Sequence, residues 1–147
     1  MIPSFSSSGV LPPFLDPEPG GAASSQSPYV ATMGEVVSHF STSPERMIIL
    51  QGLLNYRAAL RGVGITAGFQ LLDGSFVENC EYVKGRPPGD IDIVTFAHLP
   101  VASDQVFNFL NANSGIFSRS VVKNNFHCDS FFVDLGKDAR IVVADTM

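Results

Sequence analysis

Residues 68–96 read GFQLLDGSFVENCEYVKGRPPGDIDIVTF, and two pieces of this stretch decide the fold. The first belongs to an apolar run, Ile65 to Leu72, which has the form of a buried strand and ends in Asp73-Gly74-Ser75. The second, Asp90 to Phe96, alternates strictly. Asp90, Asp92 and Val94 share one face of a strand, and Ile91, Ile93 and Thr95 share the other. Between them, Phe76 to Tyr82 predicts a short helix, and Lys84-Gly85-Arg86-Pro87-Pro88-Gly89 is a loop.

Upstream, Thr32-Met33-Gly34-Glu35 fits a capping box that opens a helix carrying Val36, Val37 and Phe40. Ser43 as cap, Pro44 at the first helical position and Glu45 in the first turn start a longer one. Met47, Leu50, Leu54 and Ala58 recur at helical spacing, with Ile49, Leu53, Tyr56 and Leu60 widening the stripe, until Gly62 and Gly64 end it. Downstream, Ser103 caps a helix with Val106, Phe107, Phe109 and Leu110, closed by Asn113-Ser114-Gly115. Ser130 to Leu135 is a strand, and Ile141 to Ala144 reads as one more. Helices and strands in this order predict an α+β domain, a sheet with helices against it, over residues 30–147. Residues 1–29 form an extended Pro-rich arm and linker, whose Val10, Leu11 and Phe14 are expected to pack on the domain or on a partner.

The whole chain has 147 residues, 45% hydrophobic and 16% charged, enough for one core without disulfide or metal. A net charge of −5 argues against the broad basic face that duplex DNA or RNA demands, and leaves room for contact with a nucleotide or an RNA end through a few local cations. Cys80 and Cys128 form no CxxC pattern and read as ordinary thiols of a reducing compartment. No Lys or Arg precedes Arg46, prolines break the early apolar runs, and no run approaches the ~20 residues of a membrane span. A cytoplasmic protein without membrane contact is expected. His39, His98 and His127 share no ligand spacing, and Phe107, Phe109, Phe117, Phe126, Phe131 and Phe132 read as core.

The chemistry rests on Asp90 and Asp92, two carboxylates leaving one strand face about 6.5 Å apart. Like charges so placed favour a cation between them, and hard divalent metals prefer carboxylate oxygen. Gly74 lets backbone approach a ligand closely, and the N–H groups that open the segment at Ser75 suit a phosphate. A strand ending in Gly-Ser, then a helix, a loop and an Asp-x-Asp strand is more specific than either half.

That joint pattern resembles the active-site signature of the nucleotidyltransferase superfamily, which includes polymerase β-like enzymes and the minimal nucleotidyltransferases of toxin–antitoxin pairs. With HCDSFFVDL at 127–135 and GVLPPF at 9–14, the chain also looks like an uncharacterised group of small bacterial nucleotidyltransferase-like proteins, a likeness that brings no substrate. The resemblance implies a mixed sheet with Mg2+ (or Mn2+) held by Asp90, Asp92 and a third acid on a later strand. By position this is Asp134, with Asp129, at the strand's start, as its rival. Gly74 and Ser75 would hold the triphosphate. Lys84 and Arg86, which read from the residues alone as solvated loop cations, would reach its phosphates. The implied activity is transfer of a nucleoside monophosphate from a nucleoside triphosphate to an acceptor hydroxyl on an RNA end, a protein or a small molecule. The alternative is a non-catalytic module of the same fold that binds a partner protein or a second copy, as in a toxin–antitoxin or phage-defence pair.

Overall fold

The computed structural model describes residues 1–15 and 26–137. Thr32 forms the expected capping box: its hydroxyl accepts from the Glu35 N–H and the Glu35 carboxylate accepts from the Thr32 N–H, both at 3.2 Å. This opens α1 (Met33–Phe40). Ser43 caps α2 (Pro44–Gly62) by accepting from the Arg46 N–H at 3.2 Å. The buried stripe of α2 runs through Ile49, Leu50, Leu53, Tyr56 and Leu60, whereas Met47 and Leu54 lie exposed. The core face is therefore rotated from the one that Met47, Leu54 and Ala58 would define.

Three strands follow: β1 (Gly68–Asp73), β2 (Ile91–Ala97) and β3 (Cys128–Asp134). They lie in the order β1-β2-β3, antiparallel between β1 and β2 and parallel between β2 and β3. The described residues thus form a mixed α+β structure. β1 begins later than expected, because Ile65 is buried in the turn before it. It is also an edge strand, largely exposed, not a buried one. The expected helix from Phe76 to Tyr82 is instead a 3-10 turn at Ser75–Val77 followed by α3 (Cys80–Lys84). The parallel crossover from β2 to β3 passes through α4 (Val106–Ala112), α5 (Ser114–Phe117) and α6 (Arg119–Phe126). The strand expected at Ile141 to Ala144 and much of the linker lie outside the described residues.

Alternation gives the sheet two unlike faces. Ile91, Ile93, Thr95 and Ala97 of β2, with Cys128 and Ser130 of β3, are buried. The apolar members of this set join a core with Val36 and Phe40 of α1, the α2 stripe and Val122 of α6. A short polar ladder crosses this face: Arg57 donates to the Gln70 carboxamide, which donates to the Thr95 hydroxyl at 2.9 Å. The opposite face carries Asp73, Asp92 and Asp129 in one row, Leu71, Val94 and Phe131 in the next, and Phe69 and Phe96 beyond. Phe69 and Phe131 are 57% and 50% exposed, so the expectation that Phe131, like Phe107, would be core is not met. No helix among the described residues is long and apolar enough to cross a membrane.

The amino-terminal arm packs on the domain in cis. Ile2, Phe5 and Leu11 lie against the core, while Phe14 stays exposed. The Gly9 carbonyl accepts from the Asn79 N–H at 2.7 Å, and Val10 bridges to Glu78.

Close packing of α2 on the end of α6 depends on Gly52, where an added Cβ would stand 2.1 Å from the Phe126 carbonyl oxygen and 2.7 Å from its carbon. Backbone cannot step aside as a side chain does. Gly52→Ala is therefore expected to destabilise the fold by about 1–3 kcal/mol in urea unfolding; a variant as stable as the parent contradicts this packing.

Candidate functional site

The functional end of the sheet is built by register. β2 pairs with β3 so that Asp92 stands beside Asp129, and β1 pairs with β2 so that Asp73 stands beside Asp92 on its other flank. Asp90, two residues before Asp92, adds a fourth carboxylate at the strand's entrance. Asp90, Asp92 and Asp129 each offer an oxygen within 4.8 Å of the others, a grouping that can hold a metal ion.

Gly74 is joined to this cluster directly. Its φ of +82° is a conformation that glycine adopts without strain, and an added Cβ would lie 2.7 Å from Asp92 Oδ2 and 2.9 Å from Asp92 Cγ. The turn thus rests against the central carboxylate. Beyond it, a buried guanidinium holds the following segment. Arg46, 1% exposed, donates to the Phe76 carbonyl and the Glu78 carbonyl at 2.6 Å each. It also engages both oxygens of Glu81, at 2.6 and 3.1 Å, and stacks 5.0 Å from the Phe76 ring centroid. Its hydrogen bond holds the Glu81 carboxyl below the usual carboxylate range. Arg46 therefore positions the Gly-Ser turn from behind, a role its place in an apolar helix stripe did not mark.

Of the two candidates for a third acid, the structure brings Asp129 to Asp90 and Asp92 and sets Asp134 apart. Asp134 stands at the far end of β3, paired in register with Ala97, and its carboxylate accepts from the Gly136 N–H at 2.8 Å. It is not among the clustered carboxylates, and Asp129 takes that position. Five residues separate the two on one strand, so alternation sends them to opposite faces.

Of the loop cations expected at the phosphates, Lys84 ends α3 and Arg86 follows in the loop before β2. Lys84 pairs with Glu78 at 3.4 Å, and Arg86 is an exposed loop residue whose carbonyl accepts from the Cys80 thiol. The cations that meet the acids come from α6. Arg119 donates to both oxygens of Asp129 at 2.6 and 3.0 Å, and Lys123 pairs with Asp90 at 3.1 Å. Neither was marked by the sequence, where the segment Arg119–Phe126 carries two valines and two asparagines, all indifferent helix formers.

These pairings divide the acids. The Arg119 hydrogen bonds hold Asp129 below its ordinary value. Among the described residues Asp92 has no such hydrogen-bond partner, and burial, then Asp90, Asp129 and Asp73, push its carboxyl up against the milder effect of Lys123. Burial, with Asp90 beside it, raises the Cys128 thiol on the core face to about 12, and burial also raises Cys80, which suits neither for nucleophilic work.

Fold and site together define an α+β protein with a carboxylate cluster closed on one side by a glycine turn. Residues 3–146 match the model of DUF6932, a family of unknown function, and the chain belongs to that family. No curated protein and no solved structure matches.

A carboxylate whose ionised form the fold disfavours costs stability above its titration range. Asp92→Asn should therefore stabilise the protein modestly at pH 7 in chelator-containing buffer. The gain should shrink as pH falls through the carboxylate range and the native Asp92 takes up a proton. Urea unfolding at several pH values checks this, and a variant less stable than the parent at pH 7 contradicts it.

Proposed function

We propose that the protein is a metal-dependent nucleotidyltransferase that transfers a nucleoside monophosphate from a nucleoside triphosphate to an acceptor hydroxyl. One observation carries the reading: Gly74 rests on Asp92 while Asp90 and Asp129 converge on the same point. Two motifs legible separately in the sequence thus form one site.

The donor set fits the metal such a reaction needs. All its ligands are carboxylate oxygens, the class that Mg2+ and Mn2+ prefer over Zn2+ or Cu2+. Asp90, Asp92 and Asp129 would hold it, and it would supply charge neutralisation on the phosphates. The chain's own residues do the rest. Backbone N–H groups at Gly74 and Ser75 receive phosphate oxygens, in a turn that glycine allows to lie against Asp92. A carboxylate of the cluster accepts the proton of the acceptor hydroxyl as its oxygen attacks the α-phosphorus. The bond from that phosphorus to the bridging oxygen breaks, and pyrophosphate leaves with the electron pair. The acceptor is an RNA end, a protein side chain or a small molecule, and a need for triphosphates favours a cytoplasmic setting.

The exposed apolar rows of the sheet, Phe69, Leu71 and Phe131, favour a second reading: a nucleotidyltransferase-like module that binds a partner, as in a toxin–antitoxin or phage-defence pair.

Calorimetry with each nucleoside triphosphate separates the two. Wild type is expected to bind at least one triphosphate only when Mg2+ is present. Asp92→Asn and Gly74→Ala should lose at least about tenfold in affinity, close to 1.4 kcal/mol. Asp134→Asn should bind like wild type. A folded wild type that binds no triphosphate leaves the partner-binding reading in its place.

A further inference from the structure

Two cations stand on the solvent side of the acids, and one helix supplies both. Arg119 and Lys123 are four residues apart on α6 and so share one face of it. Their side chains are 59% and 54% exposed, while those of their partners Asp129 and Asp90 are 17% and 25% exposed. The carboxylates thus lie inside and the cations at the rim, where an anionic ligand must arrive.

We propose that Arg119 and Lys123 are the polyphosphate-reading residues of this site, exchanging their carboxylate partners for phosphate oxygens when the acids turn to a divalent ion. The inference rests on the metal–nucleotide reading above. Arg119 occupies both oxygens of Asp129, and Lys123 is on Asp90 Oδ2. A metal ligated by these carboxylates therefore competes with two fixed cations. Taken alone it gains little from Asp129 and Asp90, since each of those ligand bonds costs an ion pair. Taken with a polyphosphate it gains more, because the displaced cations find new acceptors at once.

The chemistry of each cation suits the exchange. A guanidinium fork matches carboxylate and phosphate oxygens equally well, two at a time. The Arg119 Cζ also lies 4.4 Å from the Phe131 ring centroid, so the aromatic face keeps the guanidinium at the site's edge after it releases Asp129. Lys123 is a point charge on a flexible stem and can swing from Asp90 without losing a packed position. The site so built favours metal–polyphosphate over the bare metal. The phosphate contacts then come from the helix before β3, not from the Lys84–Arg86 loop.

The opposite signs of two affinities test this. Mn2+ binding alone is followed by the electron paramagnetic resonance of the free ion. Binding of Mg2+ with inorganic tripolyphosphate, and with the nucleoside triphosphates, is followed by calorimetry. Both use the full chain, with folding checked by circular dichroism. Lys123→Met and Arg119→Gln are expected to bind Mn2+ alone as tightly as wild type or several-fold tighter, because a competitor is gone. The same variants should lose about tenfold or more in affinity for Mg2+–tripolyphosphate. Lys123→Arg, which keeps the charge and the pairing, should stay close to wild type on both.

If the two cations merely brace the acids, Mn2+ and polyphosphate affinity will fall together, and the proposal is overturned. Unchanged polyphosphate affinity in both variants overturns it as well, while Mn2+ and triphosphate binding by wild type would leave the metal–nucleotide reading standing. A wild type that binds neither Mn2+ nor any triphosphate removes that reading and this one with it.

Discussion

Parallel strands cannot be joined by a tight turn, and the pairing of β2 with β3 is parallel. The chain must therefore climb back over one face of the sheet, and α4, α5 and α6 are that return path. The register of the pairing does the rest. With Ile91 beside Cys128 and Ile93 beside Ser130, the small and apolar side chains of both strands meet the helices. The same register puts Asp92 beside Asp129 on the other face. A slip of one residue would send the carboxylates into the core and Ile93 into solvent, at a cost far beyond what this small sheet could offset. The core and the acid row are two consequences of one alignment.

The acid row is expensive by itself. Four carboxylates converge where the three strands begin or end, and the raised Asp92 carboxyl records the repulsion. The fold manages this with α6, which ends in a left-handed His127 immediately before β3. Helix and strand are thus so close in sequence that Arg119 and Lys123 reach back over the acids of β3 and β2. Neutralisation is partial, because among the described residues cations pair with Asp129 and Asp90 and not with Asp92. Asp92 lies in the middle, half-buried against Gly74, and its charge is left for an entering cation to offset.

Much of this was legible in the sequence, and the part that was not has a common cause. The alternation of Asp90 to Phe96 and the caps at Thr32 and Ser43 are local patterns, and local physics suffices to read them. Gly74 could be read as a turn, because Asp73-Gly74-Ser75 ends an apolar run, but its contact with Asp92 could not. The choice between Asp129 and Asp134 could not, because spacing along one strand says nothing about which end lies beside Asp92. That depends on the register between strands. Arg119 and Lys123 were hidden for a related reason: Arg119-Ser120-Val121-Val122-Lys123-Asn124-Asn125-Phe126 is a weak helix by composition, held in place by the burial of Val122. The Arg46 side chain was hidden too, because a cation in an apolar stripe looks like an interruption until its four acceptors are seen.

The contact between Gly9 and Asn79 joins two parts of the chain that the sequence separates by most of the domain's first half. The segment after the Gly-Ser turn is gripped from behind by α2, through Arg46, and from outside by the arm, through that backbone bond and the Val10–Glu78 bridge. Two grips on one loop share its free energy. Whatever orders the loop makes the arm cheaper to dock, and whatever detaches the arm lets the loop sample more conformations, by the same factor in each direction. The leader is therefore a thermodynamic component of the loop's rigidity, and a fusion or label attached near Val10 would alter the turn at Gly74 without touching it.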